Sequence, residues 1–123
     1  MRARLMPFVA LAAFGLAGCQ TLRSAVDDIV GPDLRSEMTD SDVDVAVATM
    51  QAALETASDG VQTPWLNPET GNGGNFTPTH TYQTDDGLYC REFREALTVG
   101  GRNAVYEDQA CRTEDGVWIP VDS

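Results

Sequence analysis

Apolar residues recur with two different periods along this chain, and the change from one to the other divides it. Val43, Val47, Met50, Leu54 and Ala57 step by four, three, four and three, the spacing of one helical face. Thr39 to Asp44 is rich in residues that cap helix starts, and its carboxylates suit the positive end of a helix dipole. Ser58-Asp59-Gly60 ends the pattern, so the spacing predicts a helix over 41–57. Beyond Gly60 the pattern is that of strands and turns. Gln62–Asn67 is a short strand broken by Pro64, hence close to a sheet edge. Pro68–Gly74 is a loop, and Phe76–Thr84 a strand with Pro78 near its start. Asp86-Gly87 turns into Leu88–Val99, Gly100-Gly101 into Arg102–Arg112, and Asp115-Gly116 into Val117–Val121. One N-terminal helix packed on an antiparallel β-meander of about four strands follows, an α+β domain.

The double glycine also sets a register. A two-residue turn at Gly100-Gly101 puts Val99 across from Arg102. Nine residues further along each strand, Cys90 then faces Cys111. That position is a non-hydrogen-bonded pair with Cα atoms about 4.5 Å apart, close enough for a disulfide. The closed ring stabilises a small domain by about 3 kcal/mol in the chain-entropy description. In the same register Tyr89, Phe93, Leu97 and Val99 share a face with Ala104, Tyr106 and Ala110, the face expected to cover the helix. The opposite face carries the disulfide, with Arg94 across from Glu107. Arg91 and Asp108 fall on the apolar face and fit it poorly, which points to a β-bulge shifting the register there.

At the start of the chain, Arg2 and Arg4 precede an uncharged stretch, Leu5 to Gly18, of 14 residues. A membrane-spanning helix needs about 20. The order of positive start, short apolar run and small-residue site is that of a secretory signal. Leu16-Ala17-Gly18-Cys19 resembles the bacterial lipobox, and that resemblance implies cleavage before Cys19 and acylation of it. More than one acyl chain, at about 0.8 kcal/mol per buried CH₂, makes such an anchor stable. The expected organisation is a signal peptide over 1–18, a lipidated tether over 19–38 and a domain over 39–123. As a flexible coil the tether would hold the domain about 25 Å from the anchor.

The formal charge of −11 deepens on processing, because the signal removes two of eight basic residues and none of the 19 acidic ones. Such a surface repels polyanions, which excludes nucleic acid as a partner. Assigning Cys19 to lipid leaves Cys90 and Cys111 as a pair suited to an oxidising compartment. No Cys-x-x-Cys redox motif is present.

Candidate chemistry is thin. His80 is the only histidine and has no triad motif around it. Asp40-x-Asp42-x-Asp44 opens like a calcium loop but has Val45 and Gln51 where glycine and glutamate are required, so no metal is expected. Gly71–Gly74 lacks the lysine and the strand-to-helix context of a phosphate loop, and no cofactor is expected. Trp65 and Trp118 either fill the core or stack on a sugar or peptide, with Asn67 and the Gly71–Gly74 loop as a rim. Arg91 and Arg112 each follow a cysteine and point away from the disulfide face. Arg112 would lie opposite Tyr89 at cation–π distance, and the two arginines are candidates for structural support or an anion-binding pair.

From the helix to the last strand, the chain resembles the rickettsial-type outer-membrane surface antigen family, the 17 kDa antigen-like lipoproteins. The residues that carry the resemblance include Gly87-Leu88-Tyr89-Cys90-Arg91-Glu92-Phe93, Gly100-Gly101-Arg102, Ala110-Cys111-Arg112 and Asp115-Gly116-Val117-Trp118-Ile119. Trp65, Asn67-Pro68, Gly71 and Gly74 add to it. The resemblance implies a non-enzymatic, lipid-anchored envelope protein with no catalytic residues to carry over. Several family members have a glycine-zipper segment after the lipobox, and residues 20–38 contain none. Gln20 in place of aspartate favours the outer membrane. The expected function is therefore structural or interactive, with the membrane as partner through the anchor and an envelope protein or glycan as a further one. The alternative is a periplasm-facing binding module or inhibitor using Trp65, Trp118 and the glycine loop.

Overall fold

A computed structural model describes residues 33–121. Cys19, the expected lipidation site, and the expected signal peptide lie outside the described residues. The elements are a 3-10 helix Leu34–Glu37, α1 (Asp40–Thr56), β1 (Thr63–Leu66), β2 (Gly73–Gln83), β3 (Tyr89–Val99), β4 (Arg102–Arg112) and β5 (Trp118–Val121). The strands form one antiparallel sheet in sequence order, a five-stranded meander with α1 on one face. Among the described residues no helix is long and apolar enough to cross a membrane.

α1 starts at a capping box. The Thr39 side chain accepts from the Asp42 N–H, and the Asp42 carboxylate accepts from the Thr39 N–H. Its buried face is Asp42, Ala46, Met50, Ala53 and Leu54. Val43 and Val47, expected on that face, are 41% and 47% exposed. The helix turns Ala46 and Ala53 to the sheet in their place, which lets it approach more closely than two valines would. Against it pack Trp65, Phe76, Phe93, Leu97, Val99, Ala110 and Trp118.

The β3–β4 register is the expected one from Val99–Arg102 to Cys90–Cys111. Gly100 and Gly101 both have positive φ, 59° and 78°, which the tight turn requires. The disulfide closes across this pair with a Cα–Cα distance of 4.0 Å. No bulge occurs between β3 and β4. The irregularity lies in β2 between Pro78 and His80, where proline cannot donate to the ladder.

Two boundaries differ from expectation. β2 begins at Gly73, so the second half of the expected glycine loop is strand. A Cβ on Gly73 would lie 2.7 Å from the Trp65 carbonyl oxygen, and one on Gly74 would lie 2.2 Å from that of Ala96. Glycine there permits close approach of neighbouring backbone. Residues 34–37, assigned above to the tether, belong to the folded unit. Leu34 is fully buried, and its N–H donates to the Tyr106 hydroxyl at 2.9 Å.

Because Leu34 is a core residue, Leu34→Ala should lower the unfolding free energy by about 2–5 kcal/mol in urea melts. A change within about 0.5 kcal/mol, as for an exposed linker position, would contradict that placement.

Candidate functional site

The structure separates the residues nominated for binding. Trp65 lies on β1 and Trp118 on β5, the two opposite edges of the sheet, and both are buried. They share no surface. Trp65 packs beside Gly74, and its indole N–H has no partner among the described residues. Trp118 is tied to α1: its indole N–H donates to Glu55 Oε2 at 2.8 Å, and its backbone exchanges two hydrogen bonds with the Gln51 side chain.

Arg91 and Arg112 serve the helix instead of an anion. Arg91 is buried, donates from Nη1 to the Leu54 carbonyl at 2.7 Å, and reaches Asp59 and Thr81 with its other nitrogens. This satisfies a carbonyl in the last turn of α1, which otherwise lacks a basic residue. Hydrogen bonding to Arg91 holds the Asp59 carboxyl below its ordinary range. Arg112 grips Glu55 through Nε and Nη2 at 2.9–3.0 Å in place of the expected contact with Tyr89. That guanidinium, then the Trp118 indole, depresses the Glu55 carboxyl. His80 is exposed and stacks on Tyr82 at 5.8 Å between ring centroids. Among the described residues no group of three or more histidine, cysteine or carboxylate side chains is placed to hold a metal.

Asn67 is buried as part of a network centred on Asp42. The fully buried Asp42 carboxylate accepts from Thr39 N–H at 2.9 Å, Asn67 Nδ2 at 2.8 Å, Thr70 Oγ1 at 2.6 Å and Asn72 Nδ2 at 2.8 Å. Burial by itself would raise this carboxyl. The hydrogen bonds from Thr70, Asn72, Thr39 and Asn67 outweigh it and hold the group well below the usual carboxylate range. Sequence reasoning recognised these acids as capping residues and missed the loop that closes over one of them. The Asn67-Pro68…Thr70…Asn72 spacing was the available signal.

A groove of about 330 Å³ lies beside α1. Val43, Val47 and Pro120 form its walls, with Met50, Phe76 and Phe93 beneath. At one end Arg35 bridges Glu95 (2.8 Å) and Asp108 and lies 3.9 Å over the Tyr106 ring. This bridge accounts for Asp108 on the apolar face, with no bulge required. Burial raises the Glu95 carboxyl against the pull of Arg35. The groove is apolar, lacks a nucleophile–base pair, and offers contact instead of chemistry.

Fold and site together define a small, disulfide-closed α+β domain whose charged side chains brace its own framework. The sequence profile of the 17 kDa outer membrane surface antigen family matches residues 52–119. The 17 kDa surface antigens of Rickettsia conorii (strain ATCC VR-613 / Malish 7) and Rickettsia rickettsii are each 42% identical over 84 residues, covering 68% of this chain and 53% of theirs. That of Rickettsia felis (strain ATCC VR-1525 / URRWXCal2) is 39% identical over 84 residues, with the same coverage. The chain belongs to the 17 kDa outer membrane surface antigen family. It spans about half the length of the curated relatives it matches. No solved structure matches it.

The Asp42 network sets an acid limit. A carboxyl depressed by folding contributes stability that is fully present above its unfolded value, about 3.9, and is lost as pH falls towards the folded value. Unfolding free energies measured from pH 7 to pH 2 should therefore fall steeply below pH 4. Asp42→Asn should be less stable at pH 7 by about 3 kcal/mol or more and show a flatter acid limb. An unchanged acid limb would remove Asp42 as its source.

Proposed function

We propose that this chain is a lipid-anchored protein of the outer membrane with a structural or interaction role and no catalytic activity. Its family supports an envelope surface protein. The sequence Leu16-Ala17-Gly18-Cys19 supports acylation at Cys19, and Gln20 favours the outer membrane. The observation that carries the non-catalytic part is the disposition of charge. Each arginine among the described residues, Arg35, Arg91, Arg94, Arg102 and Arg112, is ion-paired within the chain, and lysine is absent from the sequence. A substrate anion would have to displace one of these pairs. A binding module built on Trp65 and Trp118 is not favoured, because the indoles are buried at opposite edges of the sheet.

Membrane fractionation and mass spectrometry in the native host test the anchor. The expected product begins at an acylated Cys19 and partitions into detergent, and Cys19→Ser leaves an unacylated protein in the aqueous phase. A wild-type product that keeps residues 1–18 and carries no fatty acid would refute the proposal. Protease treatment of intact against lysed cells then separates outward from inward display.

A further inference from the structure

Sheet edges expose unpaired backbone groups, and proteins blunt them with short strands, prolines, bulges or covering segments. Three of the four edge stretches here are treated in this way. β1 is four residues long with Pro64, and β5 is four residues long with Pro120. The part of β2 beyond β1 carries Pro78 and the bulge after it, and the Gly60 N–H donates to the Pro78 carbonyl at 2.7 Å. The fourth stretch has none of these. β5 pairs with β4 only over Gln109–Arg112, so among the described residues Arg102–Asp108 pairs with β3 alone, in unbroken register. The 3-10 helix Leu34–Glu37 reaches this stretch through side chains, at Tyr106, Asp108 and Arg102.

The geometry points to Arg102–Asp108 as a strand-addition site for an extended, basic segment of another polypeptide, which would lie antiparallel to β4 in line with β5. The inference does not depend on lipid anchoring. Across a two-residue turn Val99 and Arg102 are hydrogen-bonded to each other, so the N–H and C=O groups of Asn103, Val105 and Glu107 face outward. They can pair with one incoming strand. Among the described residues the stretch runs from the Gly100-Gly101 turn to Gln109, which pairs with Val121, a length of about 20 Å that admits roughly six residues. Val105, 62% exposed, gives an apolar position at its centre.

Charge selects the occupant. At the β5 end Glu107 is largely exposed and only loosely met by Arg94 at 3.5 Å. Glu92 flanks it, Asp108 beside it is already bridged by Arg35, and Arg102 at the other end is paired with Glu37. The whole chain carries −11, which attracts a basic strand and repels a second copy.

The test uses the full chain, isotope-labelled and with its disulfide intact, and the capped peptide Arg-Thr-Val-Thr-Val-Thr-Arg as probe. Amide exchange by NMR should slow at least tenfold at Asn103, Val105 and Glu107, and the same peptide with glutamate for arginine should bind at least tenfold more weakly. Val105→Pro removes one outward donor and should weaken binding at least tenfold. Val105→Lys keeps every donor, places a like charge against the peptide and should weaken it similarly, so a fold defect in the first variant cannot mimic the result. Protection elsewhere or nowhere, equal binding of the acidic peptide, or full binding by the lysine variant would overturn the inference. Protection of these amides by self-association without peptide would overturn it in favour of a second copy.

Discussion

The carboxylate of Asp42 is the point on which the arrangement of this domain turns. A buried carboxylate is tolerated only when its oxygens are saturated with hydrogen bonds, and the donors here come from two separate parts of the chain. Thr39 supplies the start of α1, and Asn67, Thr70 and Asn72 supply the β1–β2 connection. Asn72 then accepts from the Gly100 N–H at 3.0 Å, which brings in the β3–β4 turn. One side chain therefore fixes the N-terminal end of the helix over the glycine-turn end of the sheet. The same interaction places Trp65 in the core, since β1 leads directly into the loop that Asp42 organises.

The other end of α1 is held by a different device. Arg91 closes on the Leu54 carbonyl, while Glu55 and Gln51 take the side chain and backbone of Trp118 on the far edge strand. Between these anchors the contact is made by Ala46, Met50, Ala53 and Leu54, a surface with little relief. Such a face gives weak specificity for helix rotation on its own. Polar contacts at both ends set the rotation, and Val43 and Val47 are left on the flank as walls of the groove.

Local rules made part of this legible before any coordinates. The Gly100-Gly101 turn and the spacing of Cys90 and Cys111 determine the hairpin register, because each strand residue advances the pairing by one. The existence of α1 and its capping acids followed from periodicity and from Thr39. What escaped depends on partners distant in sequence. Asp108 and Arg91 looked misplaced because their partners are Arg35 on the 3-10 helix and the end of α1. The nominated binding residues were read from residue type alone, which does not distinguish a tryptophan facing solvent from one seated against α1. Trp118 was decided by Glu55 and Gln51, more than 60 positions away.

The distribution of charge connects framework to role. A chain with 19 acidic and eight basic residues leaves carboxylates in excess, and two of its arginines go where burial or a helix end demands one. Arg91 serves a buried carbonyl, and Arg35 serves the half-hidden Glu95 and Asp108. The remaining acids contribute to a formal charge of −11, a field that opposes the approach of like chains. Repulsion between like chains makes an untreated β4 edge tolerable, since the usual penalty of an open edge is self-association. The same field lowers the approach barrier for a basic strand. The proposed strand addition at Arg102–Asp108, a stretch paired on one side only among the described residues, rests on this combination of an acidic surface and unpaired backbone groups.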